Sequence, residues 1–337
     1  MGSISCGVYV DGRRVAAGTD PAVALAEADK DGGMLWVGLD APTESALTDV
    51  ASLLELNHLA VRDCLRGNQR SKLEAYGAMH YLVLHPARYH DDTETVERSE
   101  VALFVTRDRI VSVQRDGFLD QDDVRARLED RPEILAKGTR SVVWMVMEAA
   151  LVEYGPVLDG VENDIDEIEE QLFTGDPDVS KRIFKLQREV IDLQHATAPL
   201  PDMIDRLGQI AADESEHHAV PAFGELGDAA RHVSDRVEAF RNTLASALSV
   251  HATLVEQENN EAMRRMTETS LAQNDQVKKI SSWAAILVAP TLVGTVYGMN
   301  FTNMPELHWA WGYPAALGLM LASSLVLYVV FKRKDWL

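Results

Sequence analysis

The sequence predicts an α-helical membrane protein that carries a large α/β water-soluble domain, and three observations predict it. Two uncharged runs lie near the C-terminus, 26 residues from Ile280 to Pro305 and 23 from Trp309 to Phe331. Each is long enough to cross a hydrocarbon core of ~30 Å, which takes about 20 helical residues. Ahead of them, the 62 residues from Asp228 to Ala289 contain neither Gly nor Pro, as suits one continuous helix reaching ~90 Å. The N-terminal third instead alternates short β-rich runs with turn residues.

Composition bounds what the larger part can do. With 53 acids against 32 bases, the 337 residues carry a formal net charge of −21, which argues against nucleic acid as a partner and suits solubility or attraction of cations. No apolar signal segment opens the chain, and no run long enough to span is evident before residue 279. Cys6 and Cys64 fit neither a disulfide framework nor a zinc site, so they read as thiols in a reducing cytosol. Lys278 and Lys279 precede the first apolar run and Lys332, Arg333 and Lys334 follow the second, while the link between them has no base. The positive-inside rule then places both termini in the cytoplasm and the link outside, in a multi-pass protein of the lipid bilayer.

Along the chain, strands are expected at Gly7–Val10, Met34–Leu39, Tyr81–Leu84, Val101–Thr106 and Ile110–Gln114, with turns at Asp11-Gly12, Asp31-Gly32-Gly33 and Arg107-Asp108. A helix capped by Thr43 runs to Glu55, with Leu47, Val50, Leu53 and Leu54 on one face. His80, His85 and His90 are five apart, so neighbours fall on opposite faces of a strand and cannot form one metal site there. They read as ordinary surface or core histidines, and His217-His218 reads as loop.

After Pro132 the pattern is helical, from Thr139 through Phe173 and from Val179, capped by Ser180 or Asp178, to Thr197. Asp159, Glu162, Asp164, Asp166, Glu167, Glu169 and Glu170 crowd the first of these helices, with Leu158, Val161, Ile165, Ile168 and Leu172 on a separate face. Such acids serve either as a solvated surface or as a surface that draws in divalent cations, which favour carboxylates.

The long helix carries a stripe at steps of three and four: Val237, Phe240, Leu244, Ala247, His251, Leu254, Met263, Met266 and Ser270. It needs packing partners to be stable, either its own domain's helices or copies of itself, and its run into the first span favours copies. Continued into the membrane, the same stepping selects Asn274, Val277, Ile280 (or Ser281), Ala284, Val288, Thr291, Thr295 and Gly298. That face is polar at both ends and apolar between, as a shared pore gated by apolar rings would be. Thr291 could equally bond back to its own helix. Pro290 frees the carbonyl of Ile286 and should bend the helix. Gly294 to Gly298 is a GxxxG segment that would let several first spans approach near the mouth.

The apolar stretch ends at Tyr297-Gly298-Met299-Asn300-Phe301, followed by Met304-Pro305-Glu306-Leu307. This corner, with Lys279-Ile280-Ser281-Ser282-Trp283, Gly312-Tyr313-Pro314, Phe331-Lys332-Arg333 and the final Trp336-Leu337, resembles the CorA family of divalent-cation channels. Gly67 to Glu74 resembles the family's stretch leading into a central strand, with Ser71 in place of the usual Pro. The resemblance implies a homopentamer with a funnel-shaped cytosolic α/β domain, long stalk helices and a pore of five first spans. It implies Mg²⁺ as cargo, Co²⁺ and Ni²⁺ as lesser substrates, and closure when cytosolic Mg²⁺ binds between subunits. Its ion-selective residues would be Gly298, Met299 and Asn300, with Glu306 raising the cation concentration outside. For regulatory metal, Asp91, Asp235 and Glu238 are candidates beside Asp164, Asp166, Glu167 and Glu170, although His90 stands where an acid is expected. Lys278, Lys279, Lys332, Arg333 and Lys334 match a basic ring.

Chemistry fits that corner. Mg²⁺ releases its waters reluctantly, so fast passage favours carbonyl oxygens that accept hydrogen bonds from the hydrated ion. Inward movement of a divalent ion gains ~4.6 kcal/mol per 100 mV and needs no ATP. No nucleotide loop, nucleophile elbow or catalytic carboxylate pair is present, so no enzyme is expected. The expected division is an α/β domain over 1–135, an acidic helical segment over 136–227, a stalk over 228–279, spans over 280–300 and 311–331 joined by a loop over 301–310, and a tail over 332–337, in a bacterial inner membrane. Rival readings are a Zn²⁺ or Co²⁺ transporter on the same scaffold, which Met299 disfavours because the zinc relatives typically carry Ile there, and a membrane-anchored signalling scaffold without transport.

Overall fold

The computed structural model describes residues 2–67, 69–174, 176, 178–213, 223–300, 304–305 and 309–337. They divide into two compact units, Met1–His251 and Ala252–Leu337. The first is a three-layer α/β body built on a seven-stranded sheet. Its strands are β1 (Ser3–Val10), β2 (Arg13–Gly18), β3 (Met34–Asp40), β4 (Lys72–Tyr76), β5 (Met79–Leu84), β8 (Val101–Val105) and β9 (Arg109–Gln114), in the order β2-β1-β3-β9-β8-β5-β4. Only β3 and β9 pair in parallel; the other neighbours are antiparallel. The short strands β6 (Ala87–His90) and β7 (Thr95–Arg98) form a separate hairpin.

Period-two alternation splits the sheet's side chains between two cores. Leu35, Val37, Leu39, Tyr81, Val83, Phe104, Val111 and Val113 face one side. There they meet Ala24 and Ala28 of α1 (Pro21–Asp31), Leu47 and Val50 of α2 (Glu44–Leu53), and Ala60 and Cys64 of α3 (His58–Arg66). Trp36, Leu82, Leu84, Leu103 and Ile110 face the other side. That layer holds α4 (Gln121–Glu129), α5 (Pro132–Leu135), α6 (Thr139–Gln171), α7 (Val179–Thr197), α8 (Leu200–Asp213) and the first part of α9 (Phe223–Tyr297). The expected strands and the Arg107-Asp108 hairpin are all present. Asp11 and Gly12 both take positive φ, 48° and 76°, the conformation that closes a tight hairpin, here between β1 and β2. Thr43 caps α2 through Ala46 N–H at 3.2 Å. Asp178 stands at the N-cap of α7, but its side chain makes no capping hydrogen bond and pairs with Lys181 at 2.7 Å. The stretch from Gly67 leads not to a central strand but to β4, the outermost of the sheet. Both cysteines are free and buried.

Two helices depart from the sequence expectation. By length and composition α6 could also cross a membrane, yet most of it is buried in the first unit's core, which accounts for its apolar content. In α9, Val237, Phe240, Leu244 and Ala247 are buried in that same core, so the early stripe packs on the chain's own helices rather than on copies. Further on, Met263 and Met266 are exposed. The second unit contains the remainder of α9 and α10 (Gly312–Arg333). Buried or half-buried positions on α9 step as Ser282, Ile286, Pro290, Val293 and Tyr297, and those on α10 as Gly312, Ala316, Met320, Ser324 and Phe331. Both spacings mark one helix face.

The β6–β7 hairpin sits on α6 through Tyr89, whose ring occupies the space a Cβ at Gly160 would need. Gly155, earlier on the same helix, has open space around it. Gly160→Ala should therefore destabilise the protein by about 1–3 kcal/mol through overpacking, while Gly155→Ala stabilises it by roughly 0.5–1 kcal/mol through helix propensity. Thermal denaturation of the two variants measures both; equal effects would refute the Tyr89 contact.

Candidate functional site

The Gly298-Met299-Asn300 corner begins where α9 ends. Gly298 N–H donates to the Gly294 carbonyl at 2.9 Å and Met299 N–H to the Val296 carbonyl at 3.3 Å, so the helical turn closes through Met299. Met299 is 46 % exposed and Asn300 is exposed as well, leaving the Asn300 carboxamide open to solvent. Glu306 lies outside the described residues.

Below that corner, every expected pore position is exposed in the single chain: Asn274, Val277, Ile280, Ala284, Val288, Thr291 and Thr295. The apolar ones are markedly so, with Val277 at 60 %, Ile280 at 70 % and Val288 at 53 %. At about 100° per residue this set lies roughly opposite the α9 face that packs on α10. From Ser282 onward the helix thus has one side closed by its own chain and one side uncovered, whereas around Asn274, Val277 and Ile280 every position is exposed. Thr291 and Thr295 do bond back to their helix, Thr291 Oγ1 donating to Val288 at 2.6 Å and Thr295 Oγ1 to Thr291 at 2.7 Å. A hydroxyl whose proton is committed in this way still offers its lone pairs as acceptors. The GxxxG segment behaves otherwise than expected, because Gly294 faces α10. A Cβ there would meet the Met320 Cε at 3.4 Å, so this glycine serves the packing of two spans in one chain.

The basic residues cluster at the same end of the two spans. Lys278 pairs with Asp275 at 3.1 Å, and Lys332 lies 5.6 Å from the Tyr328 ring centroid. Lys279, Arg333 and Lys334 are exposed. Trp336 stacks on Phe331 at 5.7 Å, and Trp283 is exposed near the start of the span. Trp309, Trp311 and Tyr313 are exposed at the other end of α10. Aromatic residues at both ends of an apolar stretch match the two membrane interfaces.

The acids of the first unit separate into two sets. Asp164 is not on the solvated face; it is 6 % exposed, accepts a hydrogen bond from Tyr89 Oη and pairs with Arg182 at 3.3 Å. Burial raises its pKa, and the Tyr89 hydrogen bond opposes that shift. Arg182 also holds Glu167 at 2.6 Å and Glu94 at 3.2 Å. Asp159 and Glu162 are joined by Arg236, at 3.1 and 2.5 Å. Asp91, Asp166, Glu170, Asp235 and Glu238 are exposed. Among the described residues, no three His, Cys, Asp or Glu side chains are grouped so as to hold a metal ion. Arg182 and Tyr89, which organise the buried acid, had no sequence signal beyond an ordinary base and aromatic.

His85 and His90 have side-chain partners, and His217-His218 lies outside the described residues. His90 pairs with Glu97 at 2.7 Å. His85 Nδ1 lies 3.2 Å from Ser71 Oγ, and that hydroxyl donates to the Ala196 carbonyl at 2.7 Å. The Ser at the position where Pro was expected thus ties β4 to the end of α7.

A soluble α/β unit with a long helix running into a pair of apolar helices defines the class: a membrane protein with two C-terminal spans. The family follows from comparison. The profile of the CorA-like Mg²⁺ transporter proteins matches residues 31–333, and the chain belongs to this family, one of transporters rather than enzymes. It is 27 % identical over 290 residues to the cobalt/magnesium transport protein CorA of Thermotoga maritima, covering 86 % of this chain and 79 % of the relative. It is 28 % identical over 302 residues to the putative metal ion transporter YfjQ of Bacillus subtilis, covering 89 % of each. Its fold is similar to the complete structure of the CorA magnesium transporter from Methanocaldococcus jannaschii, with a TM-score of 0.52 at 14 % identity over 100 % of this chain and 99 % of the other. The full-length CmaX protein gives 0.55 at 18 % identity over 99 % and 98 %.

Burial, reinforced by the Arg98 charge, holds the His85 imidazole down at about 4. The unfolded chain protonates such a group near 6.5. Stability is therefore independent of His85 above pH ~6.5, declines as the pH falls from there, and has lost its full share, up to about 3 kcal/mol, below pH ~4. The melting temperature should drop between pH 7 and pH 4, and His85→Gln should flatten that drop. An unchanged slope in the variant would remove His85 as its cause.

Proposed function

We propose that the chain is a CorA-type channel for hydrated Mg²⁺, assembled as a homopentamer whose pore is lined by the uncovered face of α9. The observation that carries this reading is the placement of Ala284, Val288, Thr291 and Thr295 opposite the α10 contact, with Asn274, Val277 and Ile280 continuing the same helical face. A lone helix pair has no use for a face that is polar at both ends, whereas copies arranged around an axis enclose it. The hydrated ion presents only water protons, so it calls for acceptors. Thr291 and Thr295, their own protons spent on the helix, supply them along the path. Gly298, Met299 and Asn300 form the selective mouth, where a carboxamide oxygen and a backbone carbonyl meet the ion's waters without stripping them. Val277, Ile280 and Val288 form apolar rings that close by dewetting.

The proposed layout keeps the division at residues 135, 227, 279, 300, 310 and 331, with both termini cytoplasmic in a bacterial inner membrane. The basic ends of the two spans and the loop without Lys or Arg support that orientation. Transport is electrophoretic and needs no enzyme activity. Cobalt and nickel are lesser cargo; the name of the Thermotoga relative supports the first. Cytosolic Mg²⁺ closes the channel by binding between subunits at exposed acids. Asp91, Asp235 and Glu238 are the leading ligands, with Asp166 and Glu170 available, while Arg182 already engages Asp164 and Glu167.

Flux into liposomes holding the purified protein is the test, with Mg²⁺, Co²⁺, Ni²⁺ and Zn²⁺ compared. Wild type should pass Mg²⁺, and Asn300→Ala should abolish passage while leaving the oligomer intact on sizing. Normal Mg²⁺ flux in the variant sinks the selectivity assignment. Preference for Zn²⁺ supports the zinc rival, and no flux of any ion supports a signalling scaffold.

A further inference from the structure

The midpoint of the first span poses a specific chemical problem. Pro290 lies inside α9 and has no N–H, so the carbonyl of Ile286, four residues earlier, loses its helical donor. In a hydrocarbon core no water replaces that donor, and an unsatisfied carbonyl there is costly. The structure supplies a partner from the other span: Ser324 Oγ on α10 donates to the Ile286 carbonyl at 3.3 Å. Other hydroxyls of the two apolar helices differ, and Ser282 Oγ is buried without a hydrogen-bond partner among the described residues. Thr291, Thr295 and Ser323 each donate to a carbonyl of their own helix, Ser323 to Met320 at 2.9 Å. Ser324 could have bonded back in the same way and instead crosses to α9. Its target is the carbonyl that Pro290 orphans.

We infer that Ser324 is a positioning residue, a latch that replaces the donor removed by Pro290 and fixes α10 to the pore helix one turn before that proline. Two further contacts put the latch at the helix interface: Ile286 is itself buried, and Gly294 faces Met320 two turns further along α9. Everything from Pro290 to Asn300 lies beyond the latch. How the helix is held at Pro290 therefore sets the direction in which Thr291, Thr295 and the Gly298-Met299-Asn300 corner project. This consequence for conduction rests on the channel reading proposed above.

A double-mutant cycle on the full-length protein tests the latch. Ser324→Ala should lower the melting temperature in detergent by about 2 °C and slow Mg²⁺ flux into liposomes about threefold, the factor equivalent to the ~0.6 kcal/mol average of an interhelical hydrogen bond in a membrane. Ser324→Thr keeps a hydroxyl and should behave as wild type. In a Pro290→Ala background, the substituted residue regains a backbone N–H and serves Ile286, so adding Ser324→Ala should change neither quantity. Equal losses from Ser324→Ala with and without the Pro290→Ala substitution would overturn the latch, as would a Ser324→Ala variant that melts like wild type. A coupled melting cycle with unchanged flux would overturn its role in positioning the pore. If wild type itself passes no ions, the channel reading falls, and the melting cycle alone upholds or refutes the latch.

Discussion

What the rest of the structure depends on is how the faces of α9 are shared out. In the first unit its apolar side is buried with the chain's own helices, from Ala230 through Val233, Val237, Phe240 and Leu244 to Ala247. That burial withdraws apolar surface from water at about 25 cal/mol per Å² and makes the early helix part of a domain core. After His251 the helix loses this support, and Met263 and Met266 are left uncovered. Cover returns at Ser282 and Ile286, where α10 takes over. A helix this long is stable only where something packs on it, so the intervening stretch and the face opposite α10 ask for partners outside the single chain.

Charge is distributed by the same logic of covered and uncovered surfaces. A net charge of −21 would repel itself if spread evenly, and the structure spends several bases on quenching the densest part. Arg182 draws Glu94, Asp164 and Glu167 together, and Arg236 spans Asp159 and Glu162. Asp164 is the member that matters to the fold. A buried carboxylate without a cation or donor is strongly destabilising, and Tyr89 and Arg182 provide both while fastening the β6–β7 hairpin to α6 and α7. Acids bound in this way are poor ligands for an ion that arrives later. Those left on the surface, such as Asp91, Asp235 and Glu238, keep their charge available.

Much of this was legible in the residues, and the failures have physical causes. Strands β3, β5, β8 and β9 are apolar on both faces because helices cover both, so they stand out as runs. The edge strands β2 and β4 and the hairpin strands β6 and β7 do not, since Arg13-Arg14 or Lys72 and Glu74 face solvent there. Helix α4 buries only Val124, Arg125 and Leu128 among polar neighbours, too few for a periodic signal. Asp164 sits at the margin of the stripe formed by Val161, Ile165 and Ile168, where a helical wheel cannot tell a flank from an exterior. The stripe from Val237 to Gly298, one surface at a single spacing in the sequence, is two in the structure: a domain core at one end and an uncovered face at the other. Spacing reports the side of a helix but not the chemistry of what covers it.

The hydroxyls of the spans show the same limit in a sharper form. Ser and Thr in apolar helices are expected to bond to their own backbones, and from sequence Thr291, Thr295, Ser323 and Ser324 are equivalent. Three of them follow that expectation, and Ser324 does not. The difference arises on the opposite helix, where Pro290 leaves a carbonyl with no donor. A proline in a membrane helix is tolerated only when some group outside the normal ladder takes up the freed acceptor. Once the sequence places Pro290 there, a donor near Ile286 becomes a requirement of the fold, and α10 meets it with a side chain 38 residues further on. The small residue Gly294, against which Met320 packs, lets the two helices approach near that bond. The freed carbonyl and the contact between the two helices therefore meet in a single bond.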